Sequence, residues 1–196
     1  MWLSHYAELV ISQRQREGIV SKVIYTDEQE TIEHTKLKPL SIATAVNENY
    51  EILSAKVASM PSKGKIAKIS REKYGYRVDD RPKAMKQLMQ ELKLCTPKNH
   101  FYELVSDAKP SYKIFLRKSF PGVTHKIFVS RKTQQPDLLS NKKKWDPLFP
   151  LNQRFAKLRA DIRRLTRKSW CTTKKSENLQ RQLNIYICHN NNWVNS

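Results

Sequence analysis

Carboxylates follow two apolar runs in a chain that is otherwise strongly basic. Four acids fall within seven residues after the run Val23–Tyr25, and Asp107 follows a second run at residues 101–105. Oxygen ligands on the ends of strands can hold a hard divalent cation such as Mg²⁺. The spacing therefore predicts a metal site, and the surrounding lysines and arginines would bring a polyanion to it. The four clustered acids are Asp27, Glu28, Glu30 and Glu33.

The composition favours one core and a nucleic-acid partner. With 196 residues, of which 39% are apolar, the chain can bury one sizeable core. It has 37 Lys and Arg against 18 Asp and Glu, a net charge of +19, which places nucleic acid ahead of an anionic membrane as the expected partner. No apolar run approaches the roughly 20 residues of a membrane span, and no export leader is visible, so we expect no membrane association and a cytoplasmic, nucleoid-associated protein.

The cysteines and glycines exclude several other classes of site. The three cysteines are widely spaced and form no Cys-x-x-Cys pair, which argues against a disulfide framework and against a zinc site. Glycine is scarce, and neither a P-loop nor a dinucleotide-binding fingerprint is present. The cysteines are Cys95, Cys171 and Cys188.

The first half of the chain has the pattern of a helix followed by three strands. Apolar residues at helical spacing in 3–11, closed by Gly18, predict a short helical lead-in. Strands are expected at 19–26, 40–46 and 51–60, with Pro39 at the entry of the second and the acidic cluster just past the first. The short turns between them indicate an antiparallel meander.

The second half alternates helices and strands. Residues 61–80 look loop-like or briefly helical, and Asp80 looks like the N-cap of a helix whose apolar stripe runs from Ala84 to Leu92. A strand at 101–106, a helix around Tyr112 and a strand near 126–129 follow. After a polar connector at 131–144, Asp146-Pro147 begins a helix with apolar residues from Leu151 to Leu165, and a last helix begins at Ser176.

This order predicts an α/β sheet with three antiparallel strands first and parallel strands after them, flanked by helices. Asp27 and Asp107 then lie on strands that can be neighbours in the sheet. Two adjacent carboxylates repel each other unless cations bind, so their convergence would favour metal binding. Each residue also has a simpler interpretation: Asp27 as a solvated acid at a strand end, and Asp107 as a turn residue that binds its own backbone.

Six segments carry a family likeness: 27–46, 60–64, 70–75, 106–107, 146–152 and 158–174. Together they resemble prokaryotic insertion-sequence transposases. The resemblance covers roughly residues 20 to 190 and implies a ribonuclease H-like core with an Asp-Asp-Glu triad that cuts and rejoins DNA with Mg²⁺ or Mn²⁺. By position, Asp27 matches the first metal ligand and Asp107 the second. The third acidic position falls on Asn152, which offers a carbonyl oxygen but no charge.

Two nearby acids could substitute for the missing third carboxylate. Asp161 lies nine positions after Asn152, half a turn out of phase on the helix, and an ion pair with Lys157 or Arg164 explains it better. Asp146 precedes Pro147 and is better explained as a helix cap.

A basic segment follows the predicted sheet. Residues 131–175 contain 14 Lys and Arg against three Asp and Glu, whereas a merely solvated helix usually mixes its charges. We therefore expect phosphate contacts along this segment and a second contact surface near residues 63–73. The predicted DNA-binding residues are Lys63, Lys65, Arg159, Arg163, Arg167 and Lys168.

The function expected from these patterns is that of a transposase catalytic domain cleaving and joining double-stranded DNA at transposon ends and target, as a homo-oligomer on DNA. The division is a lead-in at 1–18, a catalytic domain at 19–175 and a C-terminal helix and tail at 176–196. Members of this family usually carry an N-terminal DNA-recognition region, which is not visible here, so we expect a truncated copy. The alternatives are a non-catalytic DNA-binding remnant and a ribonuclease H-like nuclease acting on RNA/DNA hybrids.

Overall fold

The computed structural model describes residues 2–96, 103–128, 146–166 and 171–193. Five strands form one mixed sheet, in the spatial order β3-β2-β1-β4-β5. The strands are β1 (Val23–Glu33), β2 (Thr35–Asn47), β3 (Ile52–Ser59), β4 (Glu103–Asp107) and β5 (Thr124–Phe128).

Strand directions confirm the predicted fold class. β1, β2 and β3 form an antiparallel meander, whereas β4 pairs with β1 in parallel and β5 pairs with β4 in parallel. In this order, β2 alone among the five strands runs antiparallel to the others. This is the ribonuclease H-like arrangement. The parallel pairs require crossovers, and helices make both of them.

Helices cover both faces of the sheet. The helices are α1 (Trp2–Glu17), α2 (Ile66–Tyr74), α3 (Arg81–Cys95), α4 (Pro110–Ser119), α5 (Phe149–Asp161) and α6 (Ser176–Asn190), with a 3₁₀ turn at Arg163–Leu165. On one face, buried side chains of α1, α5 and α6 pack against Ile42 and Val46 of β2. On the other face, α3 and α4 pack against Ile24 of β1 and Ala43 of β2. In the described ranges, no helix combines the length and the apolar content that a membrane span requires.

The N-terminal and C-terminal helices belong to the same half of the core. Ala7 of α1 is buried, and its carbonyl oxygen accepts a hydrogen bond from the Cys188 thiol of α6 at 3.4 Å. The predicted lead-in helix therefore packs against the last helix.

The first two strands are longer than predicted. We expected strand 1 to end at Thr26 with the acids beyond it, but β1 continues to Glu33, so the acidic cluster lies within the strand. β2 pairs with β1 along this whole stretch, and Pro39 lies inside β2 opposite Ile32 instead of at its entry. Strand pairing overrides the poor strand propensity of the acids, since the sheet gives their backbones partners.

One helix start is confirmed and one helix end differs from the prediction. Asp80 occupies the N-cap position of α3 as predicted, but its side chain accepts a hydrogen bond from the Ser59 hydroxyl, while Asp79 accepts one from the backbone N–H of Arg81. The helix after Asp146 ends at Asp161, and Leu165 lies in the 3₁₀ turn that follows it. Leu165 is still buried in the predicted core, so the apolar periodicity identified the buried face and missed the end of the helix.

The turn between β2 and β3 fixes the start of β1. The carboxylate of Glu48 accepts hydrogen bonds from the Ser21 hydroxyl at 2.7 Å, the Lys22 N–H at 2.7 Å and the Val23 N–H at 3.3 Å. Burial disfavours the charged form, but these bonds outweigh it and hold the pKa of Glu48 below its ordinary value.

Replacing Glu48 with Gln should destabilise the protein, because the neutral amide cannot accept the three bonds as strongly. We expect a loss of about 1–2 kcal/mol in the free energy of unfolding near pH 7. A group with a lowered folded pKa stabilises the protein above its unfolded pKa, and this stability is lost as the pH falls through the folded pKa. Urea unfolding at pH 7 and below pH 4 measures it: the gap between wild type and Glu48→Gln should shrink in acid, and a constant gap would contradict this role.

Candidate metal site

Two aspartates lie side by side where β4 ends. In the parallel pairing of β1 and β4, Thr26 is opposite Ser106, so Asp27 and Asp107 each follow a paired residue on neighbouring strands. β4 ends at Asp107, whereas β1 continues beyond Asp27. This end of the parallel strands is where ligands collect in such sheets.

Hydrogen bonds orient both carboxylates. Oδ1 of Asp27 accepts the backbone N–H of Glu28 at 2.7 Å and the Tyr112 hydroxyl at 3.3 Å. Oδ1 of Asp107 accepts the backbone N–H of Lys109 at 3.1 Å. Asp107 therefore has the turn contact that its simpler interpretation predicts, and at the same time lies beside Asp27.

The negative charge of Asp27 is disfavoured in the metal-free chain. Burial raises the pKa of Asp27 to about 6, and the negative charge of Asp107 adds to this, although the bonds from Glu28 N–H and Tyr112 act in the opposite direction. A bound cation would reverse the balance by favouring the ionised form.

Glu28 and Lys109 form a second layer next to the pair. Lys109 Nζ lies 2.6 Å from Glu28 Oε1, and the Ser41 hydroxyl donates to the other oxygen of Glu28 at 2.9 Å. Lys109 Nζ also lies 5.1 Å from the centre of the Tyr112 ring. Burial, together with the negative charges of Glu28, Asp27 and Asp107, raises the pKa of Tyr112, so its hydroxyl stays protonated as a donor. With Tyr112 included, this second layer offers a hydroxyl that donates to Asp27 and a Glu28 carboxylate whose charge is paired with Lys109.

α5 covers the face of the sheet on which Asp27 lies. Side chains alternate along a strand, and Tyr25 packs against the α5 side while Ile24 packs against the opposite side. Asp27 thus shares the face of Tyr25. Asn152 lies in the first turn of α5, next to the buried Leu151, and is itself exposed.

Asn152 is paired with Asp146. Its amide nitrogen donates to Asp146 Oδ2 at 2.9 Å, and Asp146 Oδ1 accepts the backbone N–H of Leu148 at 3.0 Å. Asp146 therefore orders the turn before α5, whereas the capping position itself is occupied by Leu148. The carbonyl oxygen of Asn152, the atom able to bind a metal, has no hydrogen bond to any residue in the described ranges. The role of Asn152 as third ligand stays a prediction.

The donor set fits a single Mg²⁺ that keeps several waters. Mg²⁺ is commonly bound in proteins through one or two carboxylates and substrate phosphates, and Asp27 and Asp107 supply two carboxylates. Within the described ranges, no group of three or more His, Cys, Asp or Glu residues could hold a metal ion. Among the residues that the structure describes, a third ligand would be a neutral oxygen such as that of Asn152, unless it came from substrate.

The predicted DNA-binding residues lie in three situations. Lys63 forms an ion pair with Glu30 at 3.1 Å, and Lys65 is exposed. Arg159 and Arg163 are exposed on α5 and the 3₁₀ turn. Arg167 and Lys168 lie outside the described residues.

Asp161 has the surface role expected of it. It lies 3.1 Å from Lys157 Nζ and accepts a hydrogen bond from the Tyr186 hydroxyl. Those partners place Asp161 in a surface ion pair and not at the candidate metal site.

Sequence patterns did not single out the second layer. Tyr112 was expected only as an apolar contact of its helix, and Lys109 and Glu28 were not paired. Lys109 is 81 positions from Glu28, and Tyr112 is 85 positions from Asp27, so no local spacing could reveal these contacts. The usable signal was Lys109-Pro110, two positions after Asp107, because Pro110 begins a helix at the candidate site.

Comparisons with known proteins add little to this geometry. No protein-family model and no curated protein sequence matches the chain. One solved structure that aligns with it is the crystal structure of the catalytic domain of Mos1 mariner transposase, at 10% identity, over 96% of this chain and 91% of that chain, with a TM-score of 0.30. At that TM-score the alignment carries no argument, so the fold assignment rests on the order and direction of the strands.

Proposed function

We propose that this chain is a metal-dependent phosphodiester-cleaving domain, and more specifically the catalytic domain of a DNA transposase that cleaves and joins strands at transposon ends. The observation that carries the proposal is the adjacency of Asp27 and Asp107 at the end of parallel strands in a ribonuclease H-like sheet. The transposase assignment within that class rests on the sequence resemblance, and the net charge of +19 suits a DNA substrate.

Each residue of the site would have a distinct role. Asp27 and Asp107 would hold Mg²⁺ or Mn²⁺, with the Asn152 oxygen as third protein ligand. Such an ion supplies an activated water or 3′-hydroxyl and stabilises the leaving oxygen. Tyr112 orients Asp27 through its hydroxyl, and Lys109 keeps Glu28 neutralised beside it. The exposed arginines at positions 159 and 163 would contact the DNA backbone.

Metal-dependent nicking of supercoiled DNA tests this function. With Mg²⁺ or Mn²⁺ the wild-type chain should nick the plasmid, and with EDTA it should not. Asp107→Ala should reduce nicking by about a thousandfold, since the ion contributes several kcal/mol to the transition state. The matched control is Asp161→Ala, which removes an exposed carboxylate outside the site and should leave nicking unchanged.

The absence of a three-acid group in the described residues favours one alternative, a DNA-binding remnant without catalysis. Such a remnant would bind duplex DNA with the same affinity in wild type and Asp107→Ala, and neither protein would nick it with any metal. That outcome would reject the proposed cleavage activity but would still identify duplex DNA as the binding partner.

A further inference from the structure

An exposed surface away from the metal site combines apolar and basic side chains. It consists of α2 and residues 75–78, which follow it, and we call it the α2 platform. Four of its apolar residues have large exposed fractions in the chain: Ile66 38%, Ile69 52%, Tyr76 77% and Val78 59%.

Cations are interleaved with these apolar groups. Residues 61–78 contain six Lys and Arg and a single Glu. Lys38 Nζ and Lys73 Nζ lie 4.8 Å and 5.7 Å from the centre of the Tyr74 ring. Lys68 and Arg71 are exposed beside them on α2.

Hydrogen bonds to β2 and an ion pair to β1 anchor the α2 platform to the sheet. The hydroxyls of Ser62 and Ser70 both donate to the Leu37 carbonyl of β2, at 2.7 Å and 2.6 Å. Arg77 turns inward to an ion pair with Glu33 at 3.2 Å. The side chains of Tyr76 and Val78, on either side of Arg77 in the sequence, are exposed.

The Val78 carbonyl is also fixed, since it accepts the Ser59 hydroxyl at 3.0 Å. The outward side chains therefore sit on a backbone that is already ordered. Pre-ordering of this kind lowers the cost of binding a ligand.

We propose that the α2 platform binds single-stranded nucleic acid, with bases against Tyr76 and Ile69 and phosphates against Lys68, Arg71 and Lys73. A duplex backbone would use the cations and leave the apolar groups exposed, whereas unpaired bases stack on aromatic and apolar side chains. Lys73 follows Ile66 and Ile69 by seven and four positions, so this cation lies on the same side of α2 as the apolar residues, which suits a strand with alternating bases and phosphates. This partner goes beyond the proposed cleavage activity and does not depend on it.

Fluorescence anisotropy with a labelled oligothymidylate, compared with a duplex of equal length, tests the platform in metal-free buffer. Tyr76→Ala should weaken binding of the single strand by about tenfold to a hundredfold, because stacking on one aromatic is worth that much. Affinity for the duplex should stay unchanged. Arg71→Ala with Lys73→Ala should reduce the salt dependence of single-strand binding, by roughly 0.7 in slope for each phosphate that no longer has a cation beside it.

Matched variants separate stacking from other effects. Tyr76→Phe keeps the ring and should bind like wild type, and Trp2→Ala removes an aromatic that is 75% exposed on α1 and should change nothing. Unchanged affinity of Tyr76→Ala for the single strand would overturn the proposal, as would an equal loss for the duplex. Binding to phosphatidylserine vesicles that Tyr76→Ala abolishes, without an effect on the strand, would identify a membrane surface instead. Because the assay omits metal, its result is independent of whether the aspartates support cleavage.

Discussion

Asp27→Asn should abolish metal-dependent nicking and at the same time make the metal-free protein more stable. The loss of activity should be about a thousandfold, because the amide cannot provide the charge that holds the ion. The gain in stability follows from the raised pKa of Asp27, about 6 in the folded chain, where burial and the charge of Asp107 oppose ionisation. A shift of this size, discounted for partial exposure, corresponds to about 1–2 kcal/mol near pH 7.

The dependence on pH has a definite sign. Below the ordinary pKa of an aspartate, folded and unfolded chains both hold the proton, and wild type and Asp27→Asn should be equally stable. Between about pH 4 and 6 the unfolded chain loses its proton first, so the stability of the wild type falls relative to the variant, and above the folded pKa the difference stays constant. Urea unfolding across this range, without metal, measures the effect.

Saturating Mn²⁺ provides the second half of this experiment. The ion binds the folded wild type and should raise its thermal midpoint, while Asp27→Asn should gain little. Asp161→Asn serves as the control, since its carboxylate is exposed and paired with Lys157. A variant that keeps its activity, or that is less stable than wild type at pH 7 and equally sensitive to Mn²⁺, would contradict a metal site at Asp27.

The fold was predictable because its helices and strands carry strong local signals. α3 and α6 were predicted from apolar residues at helical spacing, and these residues are buried as expected. The meander was predicted from β-branched runs separated by short turns, and its pairing is confirmed. These signals are local, so a single sequence suffices to detect them.

The C-terminal end of β1 and the contacts of the second layer depend on residues that are distant in the sequence. Glu28 and Glu33 are poor strand formers, but Lys109 and Arg77, which are 81 and 44 positions away, pair with their carboxylates and stabilise them in the strand. A hydroxyl of β2 adds a further bond to Glu28. The same distance in sequence explains why Tyr112 was expected as a packing residue only, although its hydroxyl reaches the first aspartate of the site.

The adjacency of Asp27 and Asp107 is the part of the candidate site that strand order alone could predict. Parallel neighbours bring their ends to one edge of the sheet, and both residues lie at that edge. The position of Asn152 also depends on how the segment between β5 and α5 runs, and no periodicity in the sequence determines that. The third ligand is consequently the point at which an experiment is most informative.

Asn152→Glu should raise the affinity for Mn²⁺ by about tenfold or more if residue 152 completes the site. The substitution adds a negative charge next to a dication, and a charge pair at about 4 Å near a protein surface is worth a few kcal/mol before desolvation is subtracted. Isothermal titration with Mn²⁺ measures the affinity, and the nicking rate at saturating metal shows whether the added charge also helps catalysis.

Two further variants identify the source of any gain. Asp146→Asn removes the carboxylate that holds the Asn152 amide and should lower Mn²⁺ affinity only modestly, because it disturbs the orientation of the ligand and not its identity. Gln153→Glu adds the same charge at the next exposed position of α5 and should have a smaller effect than Asn152→Glu. Equal gains from positions 152 and 153 would show a general effect of charge. No gain at 152 would mean that Asn152 is not a ligand of the metal.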